Sequence, residues 1–104
     1  MEVRIWVSYD LGADGDYAGM YAWLDSHNAV ECGDSMASLL IDCTSRGTVE
    51  SDVLTELQRK VNLKPTDRIY LLYRREDNMT KGTFLYGNRK ESPWKGAANN
   101  KEEK

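Results

Sequence analysis

At 104 residues the chain is one domain long, with no room for a second independent core; its 40% hydrophobic and 30% charged residues exclude wholesale disorder. No apolar run approaches the roughly 20 residues of a membrane helix, and Met1-Glu2-Val3-Arg4 lacks the layout of a secretory signal, so the expectation is a cytoplasmic protein without a membrane partner. The formal charge of −3 argues against a uniformly basic nucleic-acid binder, and two cysteines with a lone His27 provide neither a disulfide framework nor zinc-finger spacing.

Val3, Ile5, Val7 and Tyr9 alternate with Arg4, Trp6, Ser8 and Asp10, a period of two that predicts an opening strand with one strongly apolar face. After the turn chemistry of Leu11 to Gly15, Tyr17, Met20, Tyr21 and Leu24 form the stripe of an amphipathic helix, capped by Asp14 or Asp16 and ending near His27-Asn28. Two short apolar runs, Ala29 to Cys32 and Met36 to Cys43, broken by Gly33-Asp34, predict a hairpin. Thr48 or Ser51 can cap a second helix with Val53, Leu54, Leu57 and Val61 on its apolar side, stopping before Lys64-Pro65. Arg68 to Arg74 predicts another strand, Arg75 to Gly82 a polar loop, and Thr83 to Tyr86 a short last strand.

This order predicts an α+β fold: a ferredoxin-like β-α-β-β-α-β sheet with both helices on one face and an extra C-terminal strand. Residues 1–96 form the single domain and 97–104 a flexible polar tail. If Val3, Ile5, Val7 and Tyr9 face the helices, then Trp6, Ser8 and Asp10 lie on the uncovered face. An exposed Trp there predicts that a second subunit, the C-terminal segment or a ligand covers this face.

The charge is unevenly distributed. Residues 1–56 carry eleven acids against two bases, and residues 57–104 carry twelve bases against six acids. The basic excess clusters with aromatics in Arg68 to Arg75 and in Lys81 to Lys95, where Tyr86, Arg89, Lys90, Trp94 and Lys95 alternate planar and cationic groups. Such a segment suits stacked bases and phosphates, or an acidic protein surface. The alternatives are that the two halves neutralise each other, or that the last strand pairs with a neighbouring subunit's sheet edge with Trp94 as its anchor.

Val7-Ser-Tyr-Asp-Leu11, the helix from Tyr17 to Trp23-Leu24, the hairpin around Gly33-Asp-Ser-Met-Ala-Ser-Leu39, the strand Asp67-Arg-Ile-Tyr-Leu-Leu72 and the ending Trp94-Lys-Gly96 together resemble small CRISPR-adaptation proteins of ferredoxin-like fold. SinR-like and VapD-like proteins, some of them toxin ribonucleases, share this layout. The resemblance spans about residues 2–96 and implies a homodimer. It also implies binding of double-stranded nucleic acid and, in the enzymatic members, Mg²⁺-dependent cleavage with the aspartate that ends the first strand holding the ion at the dimer interface. Asp10 is the residue at that position, so the resemblance makes it the catalytic and metal-binding candidate. Two Asp10 carboxylates across a two-fold axis would repel each other, and a hard cation would relieve that while activating water. The simpler reading of Asp10 is a turn former.

Other constellations are weaker. Asp10, Asp14 and Asp16 lack the closing Glu of an EF-hand, and acids near a helix start are expected for capping. His27 at a helix C-terminus serves the dipole more readily than it serves as a general base. Ser8, Ser35 and Ser38 have no neighbouring His in sequence, Cys32 and Cys43 read as reduced small hydrophobes, and no phosphate-loop or dinucleotide motif occurs, so no nucleotide cofactor is implied. The functional expectation is nucleic-acid binding through Arg74, Arg75, Tyr86, Arg89, Lys90, Trp94 and Lys95, with a Mg²⁺-dependent nuclease as its catalytic form. The alternative is a non-enzymatic protein-binding adaptor or inhibitor.

Overall fold

In the computed structural model, which describes residues 1–99, strand β1 (Glu2–Asp10) alternates exposed and buried side chains along its whole length. It is the central strand of a five-stranded, wholly antiparallel open sheet in the order β2-β3-β1-β4-β5, with β2 at Val30–Gly33, β3 at Met36–Asp42, β4 at Arg68–Arg74 and β5 at Thr80–Tyr86. Helices α1 (Tyr17–Ser26) and α2 (Val49–Lys60) complete an α+β domain. Val3, Ile5 and Val7 of β1, Leu39 and Ile41 of β3 and Ile69 and Leu71 of β4 share one core with Met20, Trp23, Val53 and Leu57 of the helices. Among the described residues neither helix contributes a core residue to the opposite sheet face. None of the helices described is long and apolar enough to cross a membrane.

Helix α1 begins where Asp16 accepts the Gly19 N–H at 2.9 Å, and the other oxygen of the same carboxylate accepts the Asn62 N–H beyond α2, also at 2.9 Å. One side chain therefore caps a helix and ties the two helical connections together. The stripe is rotated from the expected one: Trp23 is buried and Tyr21 is exposed. Trp23 offers more apolar surface, and its indole N–H finds a partner in Glu56 of α2 at 2.7 Å. Glu56 also pairs with His27, so the histidine braces the end of α1 against α2. At α2 the expected cap is displaced. Ser45 caps a 3₁₀ turn, Arg46–Thr48, that leads into the helix, while the Thr48 hydroxyl donates to Asp52 at 2.8 Å instead of capping.

The loop after β4 is shorter than the sequence suggests, because a tight turn closes with the Arg75 N–H donating to the Met79 carbonyl at 2.8 Å. Asn78 takes the left-handed conformation in this turn (φ 66°), which Asn tolerates better than most residues. β5 therefore starts at Thr80, three residues earlier than expected. At its end Gly87 has φ 67°, and a Cβ there would overlap the Asp67 carbonyl oxygen. In the expected tail, residues 97–99 form a 3₁₀ turn. Residues 100–104 lie outside the described residues.

Backbone N–H groups hold the Asp16 carboxyl below its ordinary range, Asn62 contributing most and Gly19 next; the Thr44 N–H does the same for Asp52. In the window between the folded and unfolded pKa values the unfolded chain binds more protons, so this stabilisation is present above the unfolded value of about 4 and is lost as pH falls through the folded one. Thermal unfolding monitored by circular dichroism should give a lower Tm at pH 3 than at pH 7. Asp16→Asn should narrow that difference, and an unchanged acid dependence would remove Asp16 from the account.

Candidate nucleic-acid interface

Register places a defined set of side chains on the open sheet face. Trp6 lies opposite Ser38 and Leu72, Ser8 opposite Met36 and Tyr70, and Tyr70 opposite Phe84. The Tyr70 and Phe84 rings meet edge to face with centroids 5.0 Å apart. Gly82 makes room for this packing, since a Cβ there would come within 2.6 Å of the Tyr70 hydroxyl. On this face Trp6 is 36% exposed, Leu40 40% and Phe84 46%, large apolar surfaces for a domain of this size.

Arginines lie at both ends of this row. At one end Arg4, Arg46 and Arg74 surround a depression beside Trp6, with Arg46 donating to the Arg74 carbonyl at 2.9 Å and Arg4 donating to the Ser38 hydroxyl at 3.1 Å. At the other end Arg68 ion-pairs with Asp10 directly across the β1–β4 ladder, and Arg89 approaches the same carboxylate oxygen at 3.7 Å. The two ends of β4 are six residues apart, about 20 Å of strand. Between them the C-terminal segment returns over the sheet. Pro93 and Trp94 come to lie near Tyr70 and Phe84 and enclose a cleft of about 590 Å³ with Arg89 at its rim. Trp94 is 74% exposed, so it walls the cleft without being buried in it. The uncovered face expected from the sequence is thus partly covered, by the chain's own C-terminal segment.

Of the residues singled out by the sequence, Arg74, Arg89 and Trp94 belong to this face. Arg75 does not: it is turned into the β4–β5 hairpin and bonds Asp77, which holds the Asp77 carboxyl below its usual range. Tyr86 does not either, because a bulge in β5 sets it opposite Ile69 on the core side, where it is half-buried. Lys90 and Lys95 are exposed on the returning segment. Arg4, Tyr70 and Phe84 complete the face; the parity of the strands was the signal that could have found them.

Asp10 has two guanidinium groups as neighbours, and among the described residues no other carboxylate pairs with them. Among the described residues no group of three or more His, Cys, Asp or Glu side chains could hold a metal ion. One chain's residues around Asp10 therefore do not fit Mg²⁺, whose preferred oxygen donors are replaced there by cations. Asp16 is committed to capping. Cys32 is exposed at the β2 end, whereas Cys43 is buried past the far end of β3 with its thiol pKa pushed up by burial, so the two do not face each other. A second polar cluster, Glu50 with the Tyr73 hydroxyl and Lys81 each at 2.7 Å, joins α2 to β4 and β5; burial, then the bond to Glu50, pushes the Tyr73 pKa up to about 12. Both partners of Glu50 are thereby satisfied inside the fold, which makes the cluster a brace.

Comparison of the chain with protein-family models, with curated proteins and with solved structures finds no match.

Proposed function

We propose that this protein is a nucleic-acid-binding module that uses the open face of its sheet. The carrying observation is the pairing of exposed planar side chains, Trp6, Phe84 and Trp94, with five arginines, Arg4, Arg46, Arg68, Arg74 and Arg89, on or beside one face. Guanidinium groups recognise phosphate oxygens through paired hydrogen bonds, and rings supply stacking surface. The acids of the helices, among them Asp25, Glu50, Asp52 and Glu56, belong to the other layer, so a chain of net charge −3 still offers a polyanion one favourable side. The same reading assigns the fold to the split-βαβ, ferredoxin-like plan. Supporting it are the strand order β2-β3-β1-β4 and a helix in each of the connections β1–β2 and β3–β4, with β5 as an added edge strand. Kinship with CRISPR-adaptation and SinR-like proteins is part of this proposal.

A second reading is favoured by Val30 and Leu40, 62% and 40% exposed on the β2–β3 side of the face: protein docking, with a second copy of the chain as the partner. Light scattering across a concentration series separates monomer from dimer. Cleavage would require the Asp10 carboxylates of two copies to meet and to leave their arginines.

Fluorescence anisotropy of labelled oligonucleotides tests the binding reading. Affinity should fall steeply as salt rises from 50 to 200 mM, and Asp10→Asn should raise it a few-fold, because Arg68 and Arg89 lose their internal competitor. Salt-independent or absent binding contradicts the proposal. Mg²⁺-dependent cleavage abolished by Asp10→Asn would return Asp10 to the catalytic role.

A further inference from the structure

The structure points to the class of nucleic acid this face takes: we infer that it binds unpaired strands, with a base held in the cleft between Trp94 and the Tyr70–Phe84 pair. This inference rests on the nucleic-acid reading above. In a duplex every internal base is stacked on both sides, so protein rings reach only its ends, whereas an unpaired base offers its whole π-face. Three features of the face suit the second case.

The first is the placement of the rings. Trp6 on β1, Tyr70 on β4 and Phe84 on β5 lie on adjacent strands, which are about 4.8 Å apart. A strand running diagonally over the sheet, from β1 at its Arg4–Arg74 end toward β5 at its Arg68 end, meets rings in succession, and sheets of four strands stack about two or three bases. The second is the cleft. Its walls are Tyr70, Phe84, Pro93 and Trp94, its polar groups Ser8, Ser92 and Arg89, and its volume is about 590 Å³. An apolar slot with a few polar groups at the edge fits a planar heteroaromatic ring, with hydroxyls available to its edge and a guanidinium to its phosphate. The third is the distribution of charge. Arg4, Arg46 and Arg74 at one end and Arg68 and Arg89 at the other are separated by the ring row, so a backbone running between them places its bases on the rings. A protein tracking duplex phosphates has no use for exposed rings set between its cations.

The shared chemistry is that of single-stranded RNA and single-stranded DNA, which differ at the 2′-hydroxyl. The test uses four labelled probes of equal length, oligo-U, oligo-dT and the two duplexes formed with their complements, titrated with the full chain at 50 mM salt. The expected result is at least tenfold tighter binding of a single strand than of its duplex. Comparison of oligo-U with oligo-dT assigns the preferred sugar. Phe84→Ala and Trp94→Ala should each weaken single-strand binding at least fivefold, a larger loss than either causes in duplex binding. Both side chains are exposed, and circular dichroism of each variant checks that the fold is retained. Equal affinity for duplex and single strand, or unchanged affinity in both alanine variants, overturns the stacking inference while leaving the electrostatic reading in place. Absence of binding to all four probes overturns both.

Discussion

Reversing Arg74 and Arg89 to Glu should lower the affinity for a single-stranded oligonucleotide about tenfold each, and about a hundredfold together, at low salt. A hydrogen bond to a charged group contributes about 1.5–3 kcal/mol, and about 1.4 kcal/mol is tenfold in affinity. Part of that is offset because Arg89 shares Asp10 in the free protein. The two residues stand at opposite ends of the ring row and both are exposed, so neither is expected to carry the fold. Loss of two phosphate contacts should also flatten the plot of log affinity against log salt by about 1.4, since each contact on a single strand contributes a slope of about 0.7. Arg59→Glu, at the end of α2 among Asp52 and Glu56, is the matched control and should leave binding unchanged. Equal losses in all three variants would mean that net charge, and not this face, governs binding.

Asp67→Ala should destabilise the protein by about 3–5 kcal/mol, the largest stability effect expected of a single polar substitution here. Asp67 is 1% exposed, and its carboxylate accepts the Gly12 N–H at 3.2 Å and the Lys64 N–H at 2.8 Å. It thereby joins the loop after β1 to the turn before β4. Removing it leaves two partly buried N–H groups without their acceptor, each at a cost of about 1–3 kcal/mol. For a domain near 100 residues the shift in Tm is about 4–8 °C per kcal/mol, so a fall of more than about 12 °C is expected. Asp67→Asn retains one acceptor and should lose roughly half as much. A fall of less than 4 °C in Asp67→Ala would show that water replaces the carboxylate.

Strand β1 shows how far the sequence carries. Strict alternation from Val3 to Asp10 specifies both its extent and its two faces, because one face must be apolar to join the core and the other need not be. The same parity read along β4 and β5 leads to Tyr70 and Phe84, but fails at Tyr86. A bulge at Leu85, opposite the Ile69–Tyr70 step of β4, lets Leu85 and Tyr86 both pack toward the core, and a one-residue insertion of that kind leaves no mark in the alternation. Its neighbours in sequence place Arg75 in a basic cluster, although Asp77, two positions further on in the same turn, is its partner in the fold. For Asp10 the decisive neighbour, Arg68, is 58 positions away and meets it only through the β1–β4 register. Helix capping by Asp16 was legible because it is local; its bond to Asn62 was not.

The chain has three tryptophans in unlike places, and their indole N–H resonances report separately on its two layers. Trp6 and Trp94 are exposed on the sheet face or its returning segment, whereas Trp23 is buried among the helices with its N–H on Glu56. The most direct measurement is a ¹⁵N–¹H correlation spectrum of the full chain titrated with unlabelled oligo-U or oligo-dT. The Trp6 and Trp94 indole signals should move progressively while that of Trp23 stays in place. Movement of Trp23 alone, with Trp6 and Trp94 unaffected at saturation, would contradict binding on the open sheet face.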